Sequence, residues 1–153
     1  GEFSQLAWLG LGPDETYPDR KAGGRFGRFA GTVAEQYVPY VVPQEHGHHT
    51  ETRWLSLATE DGVGVLVAGA KPFGFSASQY RAEDLSRALH TPDLVARGET
   101  ELHPDAAHRG LGTASCGPDT LPHYRVKPGT HRLAWTLGVG EGAGRQVIRV
   151  SGY

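Results

Sequence analysis

Apolar residues in this chain come in short runs, separated by glycines and prolines that are spread along the whole length rather than clustered. Runs of about 4 to 8 residues have the length of strands. Strands are expected over residues 6–9, 38–42, 53–58, 64–68, 74–77, 100–103, 123–126 and 130–137. Alternation is clearest in the last, where His131, Leu133, Trp135 and Leu137 share one face and Arg132, Ala134 and Thr136 the other. Lys127-Pro128-Gly129-Thr130 has the chemistry of a tight turn and predicts a hairpin between the last two runs. One segment has a different period. Within 80–90, Leu85, Ala88 and Leu89 recur at i, i+3 and i+4, opposite Glu83, Asp84 and Arg87. This predicts a short amphipathic helix, with Ser78 as its N-cap and Thr91-Pro92 as its stop. The fold class is therefore all-β and antiparallel, with one short helix near residues 80–90.

Composition narrows the function. The chain has 153 residues, 38% of them hydrophobic, with 22 glycines, which suits one domain with a packed core. Fifteen basic and 17 acidic residues are interspersed, for a net charge of −2, so there is no basic footprint for nucleic acid. No apolar run approaches the roughly 20 residues of a bilayer span. The single Cys116 cannot form an intramolecular disulfide, and cytoplasm is the expected compartment. Methionine is absent, so the chain is expected to be a processed product or a piece of a longer one. Residues 1–3 read as a vector-derived leader, 4–137 as a sandwich domain, and 138–153 as a glycine-rich linker and tail, the tail adding an edge strand or staying disordered.

Several residues carry candidate chemistry. Glu45, His46, His48, His49 and Glu51 are ligand types suited to zinc, copper or nickel. No second, separated pair with characteristic spacing accompanies them, so a solvated histidine-rich loop is expected and no metal is assigned to the chain. Cys116 would need a base such as His108 or His123 to act as a nucleophile, and reads more simply as a buried structural thiol. Asp14, Glu15 and Asp19 are followed at once by Arg20 and Lys21, which favours ion pairs that hold a loop. There is no G-x-S-x-G elbow, no P-loop, and no strand-to-helix G-x-G-x-x-G.

Longer motifs say more. Residues 8–20 (WLGLGPDETYPDR), 37–47 (YVPYVVPQEHG) and Thr52-Arg53-Trp54 closely resemble the C-terminal domain of the large bacterial β-galactosidases of glycoside hydrolase family 2. Residues 75–80 (FSASQY) with Asp84, Leu85 and His90 are similar to that domain's strand-then-helix element, and residues 110–118 to its glycine-rich loop. The similarity spans about residues 6–137. It implies the second half of a very large antiparallel β-sandwich, a supersandwich related to galactose mutarotase.

The resemblance also implies that the catalytic glutamates and magnesium site lie in an upstream barrel with no counterpart here. Magnesium and sodium would belong to the parent enzyme, and this chain alone is expected to be inactive, with no catalytic residue and no cofactor of its own. In that family the domain sends a loop to the mouth of the active site, where an aromatic side chain stacks on the sugar. The resemblance sets Glu101 at that position, with His103 and Asp105 beside it to hydrogen-bond sugar hydroxyls. Glu15, Tyr17, Asp19, Arg20, Glu45 and Arg53 are expected to hold loops, because such charges are tolerated inside a sandwich only when paired. Implied partners are the rest of a parent β-galactosidase chain or a separate catalytic subunit, together with a galactoside substrate. Half a sandwich also invites self-association, since each sheet needs an opposing layer. The alternative is a free-standing carbohydrate-binding module, which needs exposed aromatics, whereas Trp8, Trp54 and Trp135 fall mostly at core-facing positions.

Overall fold

Alternating burial begins at once in the first strand. In β1 (Gln5–Gly12), Leu6 and Trp8 are buried while Gln5, Ala7 and Leu9 are more exposed. This is the period-two pattern of a strand with one face on a core. The computed structural model describes residues 2–112, 118–141 and 147–150. Six more strands follow: β2 (Arg25–Thr32), β3 (His49–Ala58), β4 (Val63–Ser78), β5 (Glu101–Asp105), β6 (Trp135–Glu141) and β7 (Val147–Val150). All pair antiparallel in one open sheet of order β2-β1-β3-β4-β6-β7, as in one layer of an all-β sandwich. The 16-residue β4 is the hub. Its first half pairs with β6 and its second half with β5 along the same edge, while β3 occupies the other edge.

The core cluster lies on one face of the sheet. Leu6, Trp8, Leu55, Leu57, Val67, Phe73 and Phe75 meet there, with Val33 from the turn after β2. Trp8 is its centre: its ring lies 5.3 Å from Phe29, 4.3 Å from His49 and 6.0 Å from Phe75. Trp135 packs against this cluster. Trp54 does not. It alternates with Leu55 onto the opposite face, where the Arg28 guanidinium sits 5.7 Å from its ring centroid. None of the three tryptophans is exposed.

The sequence patterns misplace several elements. β2 was not among the expected strands. Residues 38–42 form no strand, because Pro39 and Pro43 supply no N–H to a ladder. Residues 123–126 instead fall in and after a 3₁₀ turn, Pro122–Tyr124. The run 130–137 is strand only from Trp135, so the expected 127–130 hairpin does not exist. Residues 138–141, expected as linker, instead continue β6, whereas β7 pairs with it as an edge strand, one of the two outcomes expected for the tail.

The helix, α1 (Ala82–Arg87), lies inside the expected span. Its N-cap is Arg81, whose backbone N–H donates to Asp84, rather than Ser78; the Ser78 hydroxyl accepts from the Tyr80 N–H instead. Leu85 and Ala88 are buried, whereas Leu89 is exposed. No helix among the described residues is long and apolar enough to cross a membrane.

Candidate functional site

Residues 13–24, between β1 and β2, cross the same end of the sheet as the segment leading into β3, and the motif charges meet there. The Glu15 side chain is only 3% exposed, yet three donors satisfy it. Arg20 Nη1 donates at 2.7 Å, the Gly47 backbone N–H at 2.9 Å, and the Tyr40 hydroxyl also donates. Burial and the hydrogen bond to this carboxylate push the Tyr40 pKa up. A buried carboxylate is tolerable only with such compensation. Residues 13–20 and 37–47 are thereby tied together.

Asp19 does different work. Its two carboxylate oxygens accept the backbone N–H groups of Leu111, at 3.0 Å, and Gly112, at 2.7 Å. One side chain thus fixes a loop more than 90 residues away in sequence. Gly112 sits at φ +65°, and a Cβ there would meet Thr120 Oγ1 at 2.5 Å, so the loop requires glycine. The anchored loop borders a cleft of about 890 Å³ lined by Asp19, Arg20, Tyr40, Gln44, Leu121 and Tyr124, among others. Residues 113–117, with Cys116, lie outside the described residues, so the buried-thiol expectation falls there too.

Tyr17 is fully buried, and its hydroxyl donates to Glu45 Oε1 at 3.2 Å. Burial and the Glu45 and Glu15 charges raise its pKa far above the ordinary value, so it stays a donor. Burial pushes the Glu45 carboxyl up, but His108, His48 and Tyr17 outweigh that and hold it below its usual range. His108 Nε2 is 3.6 Å from Glu45 Oε1, and this carboxylate raises the His108 pKa. Arg53, expected with Glu45 to hold a loop, is exposed on β3, and Glu45 meets Tyr17 and His108.

The histidine-rich segment is not a solvated loop. His46, His48 and His49 are 5%, 1% and 1% exposed. His49 belongs to the core beside Trp8 and Phe75, with Nε2 on the Gln36 side-chain oxygen at 2.9 Å. Burial, with His48 nearby, pushes its pKa down to about 4. His46 packs edge-on against Tyr37. His48 stacks on Tyr17, and its Nδ1 donates to the Thr16 carbonyl at 3.1 Å. A bulge in β3, where Glu51 adopts φ 58°, separates this buried segment from the regular strand.

The three residues expected to contact sugar alternate on β5, so Glu101, His103 and Asp105 share a face. His103 Nε2 lies 3.9 Å from Glu101 Oε2, but the two ends of this row have different partners. Arg81 Nε donates to the Glu101 carboxylate at 3.2 Å, which makes Glu101 an ion-pair partner of the helix N-cap. His103 and Asp105 line a smaller cavity of about 220 Å³ with Ser76, Ser78 and Tyr80. Asp105 Oδ2 lies 3.4 Å from His48 Nε2. His48, Asp105 and His108 place one possible ligand atom each within 4.8 Å of one another. No spacing could reveal this group, because His48 and His108 are 60 positions apart and only the pairing of β5 with β4 unites them.

A family model described as the β-galactosidase small chain matches residues 1–137. Curated relatives named β-galactosidase agree. One from Arthrobacter sp. (strain B7) is 36% identical over 138 residues, covering 86% of this chain and 14% of the relative. One from Kluyveromyces lactis is 39% identical over 127 residues, covering 82% and 12%. One from Pseudoalteromonas haloplanktis is 36% identical over 135 residues, covering 88% and 12%. The chain thus spans only about an eighth of the length of these relatives.

Proposed function

This chain belongs to the β-galactosidase small-chain family, and from that membership we propose that it is the non-catalytic C-terminal sandwich segment of a β-galactosidase. In this reading the parent enzyme hydrolyses terminal β-D-galactosides such as lactose in the cytoplasm, and this segment shapes the rim of the active site and stabilises the assembly. The observation that carries it is the clamp of Asp19 on Leu111 and Gly112, which fixes the start of the glycine-rich loop beside the 890 Å³ cleft. A preorganised loop can position a substrate without supplying reacting groups. Val41, 94% exposed, and Val42 and Leu121 are further support. They lie in or near the two motif segments and would be covered by the rest of the parent.

Glu101, His103 and Asp105 face the substrate side in this proposal, His103 and Asp105 through their shared cavity. Magnesium and sodium act in the parent, the magnesium site lying upstream by the family resemblance, and no chemical step is assigned to this chain. The test is complementation. A relative's catalytic polypeptide truncated ahead of this domain is mixed with the 153-residue chain, and hydrolysis of a chromogenic β-galactoside is followed. Neither polypeptide should turn over alone, and the mixture should. Asp19→Ala should lower the restored rate about tenfold, the order of loss expected from a misplaced positioning loop. Turnover by this chain alone, or full activity of the truncated polypeptide without it, would refute the proposal.

A further inference from the structure

Among the described residues, three buried side-chain atoms lack a hydrogen-bond partner, His48 Nε2, His49 Nδ1 and Thr52 Oγ1, and of these His48 Nε2 faces a carboxylate and a second imidazole. His48 is 1% exposed, and its Nε2 has no hydrogen-bond partner. A buried polar atom without a partner is costly, so its environment calls for an explanation. The Thr16 carbonyl can only accept, so Nδ1 carries a ring proton and Nε2 is the nitrogen left to meet a ligand. His108 is held similarly through its far nitrogen: Nδ1 donates to the Arg109 carbonyl at 2.6 Å, and Nε2, 3.6 Å from Glu45 Oε1, faces the same space. Backbone carbonyls that fix the far nitrogen of each imidazole are the usual outer support of metal-ligating histidines.

We propose that His48 Nε2, His108 Nε2 and the Asp105 carboxylate form a binding site for a divalent transition ion of the zinc class. Ligand bonds of about 2.0–2.1 Å put tetrahedral ligands about 3.4 Å apart. The His48–Asp105 separation is 3.4 Å. All three atoms lie within 4.8 Å of one another, so closure needs a contraction of at most about 1.4 Å, which His108 can absorb because it lies in the loop after β5. Two imidazoles with the Asp105 carboxylate, and with Glu45 3.6 Å from His108, are a donor set suited to a divalent transition ion. The 220 Å³ cavity beside Asp105 and His108 supplies an entry path and room for water in a fourth position. Gly74 makes the arrangement possible: a Cβ there would meet His48 Cε1 and Nε2 at 2.5 Å.

The test uses the whole 153-residue chain, stripped with a chelator, and so is independent of complementation. Zinc is titrated by calorimetry, and cobalt(II) is titrated while its visible ligand-field bands are followed. One ion per chain, with the intense bands of tetrahedral cobalt, is expected. Asp105→Asn and His108→Gln, both at partly exposed positions that should leave the fold intact by circular dichroism, should each weaken binding at least tenfold. His131→Gln, at an exposed histidine, should leave it unchanged. Absence of binding, or binding indifferent to Asp105→Asn and His108→Gln, would overturn the site.

Discussion

Glu15 and Arg20 are joined at 2.7 Å by one buried and one exposed partner: the carboxylate is 3% exposed, the guanidinium 59%. The asymmetry makes the two truncations unequal. Glu15→Ala leaves the Tyr40 hydroxyl and the Gly47 N–H without their acceptor and should cost about 2–4 kcal/mol. Arg20→Ala removes a solvent-screened partner while two donors remain, and should cost about 1 kcal/mol. Urea unfolding of the two variants checks the order. Equal losses would mean that the exposed arm, and not the buried carboxylate, organises the junction.

The pair at the helix end predicts a pH dependence. Arg97 donates to Asp84 through Nε at 2.6 Å and Nη2 at 2.8 Å. These bonds, with the Arg81 N–H, hold the Asp84 carboxyl well below its usual range. A depressed carboxylate contributes stability that is complete above its unfolded pKa of about 3.9 and disappears as pH falls through the lower folded value. The stability difference between the native chain and Asp84→Asn should therefore be constant from pH 7 to about 5 and shrink below about pH 4. Chemical unfolding at several pH values reads it directly.

Phe75 is fully buried where β4 crosses the core, in contact with Trp8 and His49. Replacing it with alanine opens a cavity beneath three strands and should destabilise by about 3–5 kcal/mol. Trp8 fluorescence provides a local probe of the same transition. A loss below about 1 kcal/mol would show that the core collapses to fill the space.

Gly112 couples conformation and space. Alanine would have to adopt φ +65° and would press its Cβ against the Thr120 backbone nitrogen at 2.8 Å as well as the hydroxyl. A cost of about 1–3 kcal/mol is expected, together with faster amide exchange at Leu111 and Gly112 as the Asp19 clamp loosens. Unchanged exchange would mean that Asp19 holds the loop without help from its turn.

β1 and the second half of β3 were legible because Leu6, Trp8, Leu55 and Leu57 sit at alternate positions, and a period of two is written in the residues themselves. β2 was not. Its apolar residues Phe26 and Phe29 are three apart with Gly27 and Arg28 between, and the segment is a strand because β1 offers it an edge. The valines at 38, 41 and 42 misled in the opposite sense, since β-propensity cannot overcome two flanking prolines. For the site, short-range cues identified Glu15 and Arg20, which lie five residues apart and do pair. The partners of Asp19 and His48 come from the far side of the fold, and residue types alone carry no record of such distances. Histidine's polarity argued for solvent, whereas His48 and His49 are enclosed by aromatic rings.

β4 offers one edge to two strands in tandem, with Gly74 opposite Asp105 and Gly69 opposite Trp135. The chain between Asp105 and Trp135 therefore departs from and rejoins the same rail at two independently fixed points. Its length is dictated by neither ladder, and lengthening such an excursion costs only logarithmically in chain entropy. Insertions and deletions within residues 126–132, past the loop that Asp19 holds, should be absorbed without slipping a single strand, which makes that part of the excursion a natural place for a graft.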